Sequence, residues 1–118
     1  MTIKNALASV AVKNLKSSAN WYQNLLGRAP DSIPMSEVVE WKFEGGGWLQ
    51  VYESKQHVGT TSVTLAVTDI NDQVSFLKKL NIDAGKPVIT EKVKMVMIKD
   101  PDGNSIAFAE ALDPNIAQ

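Results

Sequence analysis

Trp48, Gln50 and Tyr52 are the residues of this sequence best suited to bind a ligand. Side chains at alternate positions of a strand point to the same side, so these three would share one surface. Two aromatic rings with an amide between them suit a flat or apolar organic molecule, held by stacking and oriented by one hydrogen bond. Aromatic residues on a strand can equally belong to a core or to a subunit interface, and the residue types leave that choice open.

Residues for catalysis or metal binding are sparse. The only histidine, His57, lies in a polar segment, 54–60, that we expect to be an exposed connector. The chain has no cysteine, so a disulfide framework and a thiolate metal site are both excluded. Alternation places nearby carboxylates with Lys42 on a solvated face or at strand ends; they are Glu40, Glu44 and Glu53.

The first half of the sequence predicts a strand, a helix and further strands. An apolar run predicts a strand over 7–12, and a helix follows with Ser17 or Ser18 as its cap and Gly27 at its end. Pro30 and Pro34 then bracket a loop or an edge strand. Two strands, 38–43 and 48–52, flank the glycine run 45–47, which predicts a hairpin turn because no helix or Gly-Lys-Ser/Thr follows it.

The second half repeats this order. A strand over 62–67 precedes a helix led by Asp69, and strands over 93–98 and 105–110 are joined by the turn Asp100-Pro101-Asp102-Gly103. The pair Asn14-Leu15 and the pair Asp69-Ile70 stand 55 positions apart in corresponding places. The sequence therefore predicts one domain over 1–118, built from two repeats at about 5–54 and 60–112.

The composition excludes several classes of protein. With 118 residues and a net charge of −1, the chain lacks the basic face that nucleic acid or an anionic membrane would favour. No apolar segment approaches the roughly 20 residues that cross a bilayer. The start of the sequence lacks the pattern of a signal peptide. We therefore expect a cytoplasmic protein that binds neither nucleic acid nor membrane.

These motifs together resemble those of one superfamily. The Asn/Asp-Leu/Ile pair before an aromatic-bearing helix, with Trp21-Tyr22 and Leu25-Leu26-Gly27, and the Asp-Pro-Asp-Gly-Asn hairpin at 100–104 resemble the vicinal oxygen chelate superfamily. That superfamily includes glyoxalase I, the bleomycin resistance proteins and the extradiol dioxygenases. The resemblance implies an α+β fold in which two βαβββ units form a curled mixed sheet, an incomplete barrel around a cleft, with helices on the outside.

Within that fold, strand alternation predicts which side chains face the cleft. If Ala8, Val10 and Val12 pack under the helix, then Leu7, Ser9 and Ala11 face the cleft. Trp41 and Phe43 could contribute from the neighbouring strand. The predicted ligand-binding residues are Trp48, Gln50, Tyr52, Leu7, Ser9, Ser62, Thr64, Ser105 and Ala107.

The resemblance also implies where a metal ion would bind. Metal-dependent members of the superfamily hold a divalent ion from four cleft positions, which here carry Leu7, Gln50, Ser62 and Ala107. Leucine and alanine offer no lone pair, serine is a poor neutral ligand, and one amide oxygen cannot replace three or four ligands. We therefore expect no bound metal and no cofactor.

Three classes of function follow from this resemblance. The missing ligands favour a metal-free protein of the bleomycin resistance type, which sequesters a small organic molecule in its cleft. An enzyme of the same fold, a lyase, isomerase or dioxygenase, would need an unrecognised acid or base, or a metal completed by a partner chain, and the sequence leaves catalysis open. An interaction module without a ligand is the third class. We expect a two-fold homodimer, in which a second copy covers apolar strand faces such as Trp41 and Phe43.

Overall fold

The first half of the chain forms an open four-stranded sheet with one helix. The computed structural model describes residues 2–118, so Met1 of the predicted domain lies outside the described residues. The elements in chain order are β1 (Leu7–Val12), α1 (Leu15–Leu26), β2 (Ser32–Met35), β3 (Val38–Lys42) and β4 (Trp48–Glu53). The strand order is β1-β4-β3-β2, with β1 parallel to β4 and the other pairs antiparallel.

The second half repeats this topology. Its elements are β5 (Ser62–Ala66), α2 (Ile70–Lys79), β6 (Val88–Ile89), β7 (Val93–Lys99) and β8 (Ser105–Ala111). The strand order is β5-β8-β7-β6, with β5 parallel to β8 and the other pairs antiparallel. Each sheet is open rather than closed into a barrel, and the α+β fold of two βαβββ units is confirmed.

The described chain divides into two compact units that do not follow the repeats residue for residue. The first unit runs up to Thr61 and also includes Pro101–Asn104, while the second comprises Ser62–Asp100 and Ser105–Gln118. The turn between β7 and β8 therefore belongs to the first unit. Neither helix within residues 2–118 has the length and apolar composition that crossing a bilayer requires.

Both helices begin in the same way. The side chain of Asn14 accepts a hydrogen bond from the Ser17 amide at 3.1 Å, so Asn14 is the cap and the prediction of Ser17 or Ser18 was wrong. Asp69 caps α2 as predicted, accepting from the amides of Asn71 and Asp72. The two caps share an extended backbone, with φ and ψ of −137° and 112° at Asn14 and −143° and 112° at Asp69. The repeat predicted from the pairs 14–15 and 69–70 thus extends to backbone geometry.

A glutamate from the last strand of each repeat completes these helix starts. Glu53 accepts a hydrogen bond from the Leu15 amide at 3.0 Å, and Glu110 accepts one from the Ile70 amide at 2.9 Å. A carboxylate is favourable there because the first amides of a helix lack partners and carry partial positive charge. Glu53 and Glu110 therefore have structural roles that fix each helix to its own sheet.

The core of the first unit lies between α1 and one face of its sheet. Trp41, Leu49 and Val51 are fully or almost fully buried there. The Tyr22 ring of α1 lies 6.4 Å from the Trp41 ring, and the Trp41 indole donates to the Arg28 carbonyl at 3.0 Å. Trp41 is thus a core residue, and the predictions that it contributes to a cleft or covers a dimer interface were wrong.

The core of the second unit is built from the equivalent positions. Ile106 and Phe108 of β8 and Val96 of β7 are buried on the face that α2 contacts. From α2 itself, Ile70 and Leu77 are fully buried. The alternation predicted for β4 is confirmed, and in β8 Ile106 and Phe108 are buried as predicted, but Ala107, predicted to face the cleft, is buried too.

Strand β1 keeps the predicted alternation but not the predicted burial. Val10 and Val12 are buried as expected, but Ala8 is exposed and Ala11 is fully buried. The Ala11 amide donates to the Thr61 hydroxyl oxygen at 3.3 Å, and the Ala11 carbonyl accepts from the Asn104 side chain at 2.8 Å. The expectation that Ala8 packs under the helix was therefore wrong, and Ala11, which pairs with Tyr52 on the predicted face, is buried.

The turn 101–104 is held by side-chain hydrogen bonds within the first unit. Asn104 is fully buried, and its side-chain oxygen also accepts from the Thr61 amide at 3.0 Å. The Asp102 carboxylate accepts from the Lys13 amide at 3.0 Å. Gly59 approaches so closely that a Cβ on it would lie 2.6 Å from the Asp102 carbonyl oxygen, and its φ of +81° also favours glycine.

Candidate functional site

The face of the first sheet opposite its core carries a row of polar side chains across all four strands. In the strand register, Ser9 of β1 pairs with Gln50 of β4, Gln50 pairs with Glu40 of β3, and Glu40 pairs with Ser32 of β2. Directly paired residues of neighbouring strands project their side chains to the same face. The strand pairing therefore brings four polar side chains, far apart in sequence, into one line.

These side chains are joined by hydrogen bonds. The Ser9 hydroxyl donates to the Gln50 amide oxygen at 2.9 Å, and the Gln50 amide nitrogen donates to the Glu40 carboxylate. The Ser32 hydroxyl donates to the other oxygen of that carboxylate at 3.1 Å. Each amide and hydroxyl is thus oriented by its neighbour, which fixes the direction in which the row presents donors and acceptors.

A second row beside this one is aromatic and apolar. Tyr52 pairs with Val38, and Val38 pairs with Met35, whose side chain is 63% exposed at the sheet edge. The two rows enclose an open pocket of about 380 Å³. Its lining residues are Ser9, Pro34, Met35, Val38, Glu40, Gln50 and Tyr52.

A third row lies on the other side of the polar row. Trp48 pairs with Leu7 of β1 and with Lys42 of β3. The Lys42 ammonium lies 5.8 Å from the centre of a Trp48 ring, a distance at which a cation is attracted to the ring face. Leu7 is 48% exposed. Trp48 and Leu7 therefore share the face of Gln50 and Tyr52 but do not line the pocket.

The corresponding face of the second sheet has different chemistry. Ala107 pairs there with Thr64 and with Met97, and Ser105 pairs with Ser62 and Lys99. Thr64 and Ser62 are exposed, whereas Ala107 is buried. The Lys99 ammonium donates to the Ser105 hydroxyl at 2.6 Å. Small side chains and a 50% exposed Met97 thus replace the joined polar row of the first sheet.

The structure adds residues to the site that the sequence prediction omitted. Glu40, expected on a solvated face or at a strand end, lies in the middle of the polar row. A signal for it existed, because strand residues equidistant from the Gly45 turn pair with each other, which sets Glu40 opposite Gln50. Pro34 and Met35 could not be found in this way, because β2 pairs with β3 through an irregular register. His57 is exposed in the connector, as predicted.

The four positions where the resemblance implies metal ligands do not form a donor set here. In the first half, Leu7 offers only hydrocarbon, and the Gln50 amide oxygen already accepts from Ser9. In the second half, Ala107 has no donor and Ser62 is a neutral hydroxyl. Among residues 2–118, no three His, Cys, Asp or Glu side chains form a cluster that could hold a metal ion. The residues at these four positions therefore do not fit a divalent metal ion.

One solved structure with this fold is also similar in sequence. The crystal structure of a glyoxalase / bleomycin resistance protein from Catenulispora acidiphila DSM 44928 is 33% identical, with a TM-score of 0.81. The alignment covers 92% of this chain and 98% of that chain. At this identity and coverage, the chain belongs to the glyoxalase / bleomycin resistance protein family, and the predicted resemblance is confirmed.

More distant structures share the fold. TnmS3, an antibiotic binding protein from Streptomyces sp. CB03234, is 20% identical with a TM-score of 0.78, and the alignment covers 94% of this chain and 98% of that one. The oxidase ChaP-H2 is 16% identical with a TM-score of 0.73, covering 93% and 94%. No family model matches the chain, and no curated protein matches it.

Proposed function

We propose that the protein binds a small organic molecule, without a metal ion, on the open face of the first sheet. The observation that carries this proposal is the hydrogen-bonded row of Ser9, Gln50 and Glu40 beside Tyr52, which lines the pocket. Such a surface supplies oriented polar groups next to an aromatic and apolar wall, as small-molecule sites do.

The remaining predicted residues take subsidiary places in this proposal. Trp48 and Leu7 form the rim, in the row next to Gln50. On the second sheet, Ser62, Thr64 and Ser105 offer small side chains, whereas Ala107 is buried. TnmS3 is named an antibiotic binding protein, and its fold gives this type of function a precedent.

A thermal-shift screen of a broad small-molecule library tests the proposal. We expect hits that raise the melting temperature because a ligand that binds only the folded state stabilises it. The hits should lose affinity in Gln50→Ala and keep it in Gln56→Ala, which changes the same residue type in the exposed connector. Hits that bind Gln50→Ala with unchanged affinity would place the ligand elsewhere. A screen without hits would favour an interaction module.

Elemental analysis of the purified protein tests the metal-free part. We expect well below one transition metal ion per chain, because Leu7, Ser62 and Ala107 do not supply ligands. A measurement of close to one tightly bound ion per chain would contradict metal-free binding and would favour an enzymatic function.

An enzyme of atypical chemistry is a second candidate function. The observation that favours it is Glu40, a carboxylate placed in the pocket by Gln50 and Ser32, where a base could meet a substrate proton. Incubating each screening hit with the protein and analysing the mixture by mass spectrometry separates the two candidates. A binding protein leaves every hit unchanged, whereas an enzyme converts at least one of them.

We also propose that the protein acts as a two-fold homodimer of single domains in the cytoplasm. Exposed apolar side chains on the edge strands support the dimer, since Ile33 of β2 is 68% exposed, and Val88 and Ile89 of β6 are 61% and 64% exposed. Trp41 gives no such support because it is buried. Light scattering at micromolar concentration should give twice the chain mass, and urea should unfold the chain in one transition. A monomer mass would contradict the dimer.

A further inference from the structure

The pocket of the first sheet contains one carboxylate and no basic side chain. Glu40 is half-buried, and its six companions in the lining are neutral: Ser9, Pro34, Met35, Val38, Gln50 and Tyr52. A carboxylate loses part of its hydration in such a place and needs compensating partners. The chemistry of the ligand can therefore be inferred from what Glu40 still lacks.

The protein partners of Glu40 are neutral and use only part of its capacity. One oxygen accepts from Gln50 and the other from Ser32. An ionised carboxylate has about four acceptor sites, so about two remain for a ligand. Among residues 2–118, Glu40 forms no ion pair, and Lys42 on the same face has its ammonium near the Trp48 ring.

Building on the proposed function, we infer that the ligand is an organic cation. Its protonated nitrogen donates to the Glu40 carboxylate, and its flat apolar body lies against Tyr52, Val38 and Met35. A charged donor forms the stronger type of hydrogen bond with a carboxylate, and it supplies the charge that the pocket itself lacks. An anionic ligand would meet repulsion at the same place.

Three indole compounds of similar shape test the inference. Tryptamine carries an ammonium group, tryptophol a neutral hydroxyl and indoleacetate a carboxylate, on the same flat ring. Their dissociation constants are measured by amide chemical-shift titration of the wild type, Glu40→Gln and Glu44→Gln. Glu44 lies in the exposed turn after β3, so Glu44→Gln removes the same charge outside the pocket.

We expect wild type to bind tryptamine roughly tenfold more tightly than tryptophol, and indoleacetate most weakly. Glu40→Gln should reduce the preference for tryptamine severalfold, whereas Glu44→Gln should keep it. The preference should also fall as salt is added, because the pocket is open to solvent. This salt series decides the matter even if Glu40→Gln fails to fold.

Equal binding of tryptamine and tryptophol, a preference that survives in Glu40→Gln, or no binding of tryptamine would each overturn the inference. The proposed function fails separately. If the library yields neutral or anionic ligands whose shifts map to β3 and β4, the ligand class is wrong and the binding function stands. If the library yields no ligand at all, the binding function itself is wrong.

Discussion

The two sheets have the same strand order and the same buried face, but their open faces differ. Leu49 of β4 and Ile106 of β8 occupy equivalent buried positions, each 1% exposed. On the open side, Gln50 and Glu40 of the first sheet correspond to Ala107 and Met97 of the second. Packing against a helix constrains the buried face in both repeats, whereas the open face can diverge without loss of the fold. This difference between the two faces is the reason why we propose the ligand site on the first sheet.

The largest loss of stability is expected from substitutions on the buried faces, where the two sheets are alike. Leu49→Ala and Ile106→Ala each remove a buried side chain under a helix and should each cost about 2–5 kcal/mol of unfolding free energy. Urea unfolding of both variants measures this cost. A cost well under 1 kcal/mol for either variant would show that the two buried faces are not equivalent.

The two hairpin turns provide a second comparison. Asn104→Ala should cost about 1–3 kcal/mol, because the Ala11 carbonyl and the Thr61 amide lose a buried partner. In the corresponding turn of the first repeat, a Cβ on Gly45 would meet nothing within 4 Å, so Gly45→Ala should change stability little. Thermal unfolding compares the two variants. Equal melting temperatures would contradict the distinction between the buried hydrogen bonds of Asn104 and the open space around Gly45.

The open faces should differ in binding rather than in stability. Gln50→Ala should weaken a screening hit by about 0.5–1.5 kcal/mol, because one neutral hydrogen bond is lost. It should cost less stability than Leu49→Ala, since Gln50 is half-exposed. Thr64→Ala, at the position equivalent to Ser9, should leave the affinity unchanged. Calorimetric titration of both variants checks this, and a larger loss in Thr64→Ala would move the site to the second sheet.

The smallest change in stability is expected from substitution of Asp31, which precedes β2. The hydrogen bond from Arg28, and next the one from the Lys42 amide, hold the pKa of Asp31 below its ordinary value of 3.8. Ionised Asp31 therefore stabilises the fold above that value, and this contribution is lost as the pH falls through the lowered pKa. Asp31→Asn should be slightly less stable than wild type at neutral pH. Urea midpoints at falling pH should converge, and a gap that widens in acid would contradict this assignment.

The fold could be predicted from the sequence because its signals are local and occur twice. The pairs Asn14-Leu15 and Asp69-Ile70 mark equivalent helix starts, and the turns at 45–47 and 100–103 mark the hairpins. Alternation assigned the buried residues of β4 correctly, whereas in β8 it missed the burial of Ala107. Asn14 was missed as the cap of α1 because Ser17 and Ser18 are also good capping residues. Only the backbone conformation shows which of the three residues accepts the hydrogen bond.

The site could be predicted only in part, since it depends on pairing between strands. Ser9, Gln50 and Tyr52 were found because they alternate with buried residues of their own strands. Glu40 needed the register of β3 against β4, and Met35 needed the irregular pairing of β2. The Ala11 carbonyl accepts a hydrogen bond from Asn104, which is 93 positions away in sequence. Such contacts leave no periodic signal.

Mapping a bound ligand by amide chemical shifts tests the central claim most directly. The strongest hit of the library screen is titrated into the assigned wild-type protein. Our account predicts that the largest shifts fall on β3 and β4, around Glu40, Gln50 and Tyr52, and that they shrink in Gln50→Ala. Largest shifts on β7 and β8, around Met97 and Ala107, would contradict it.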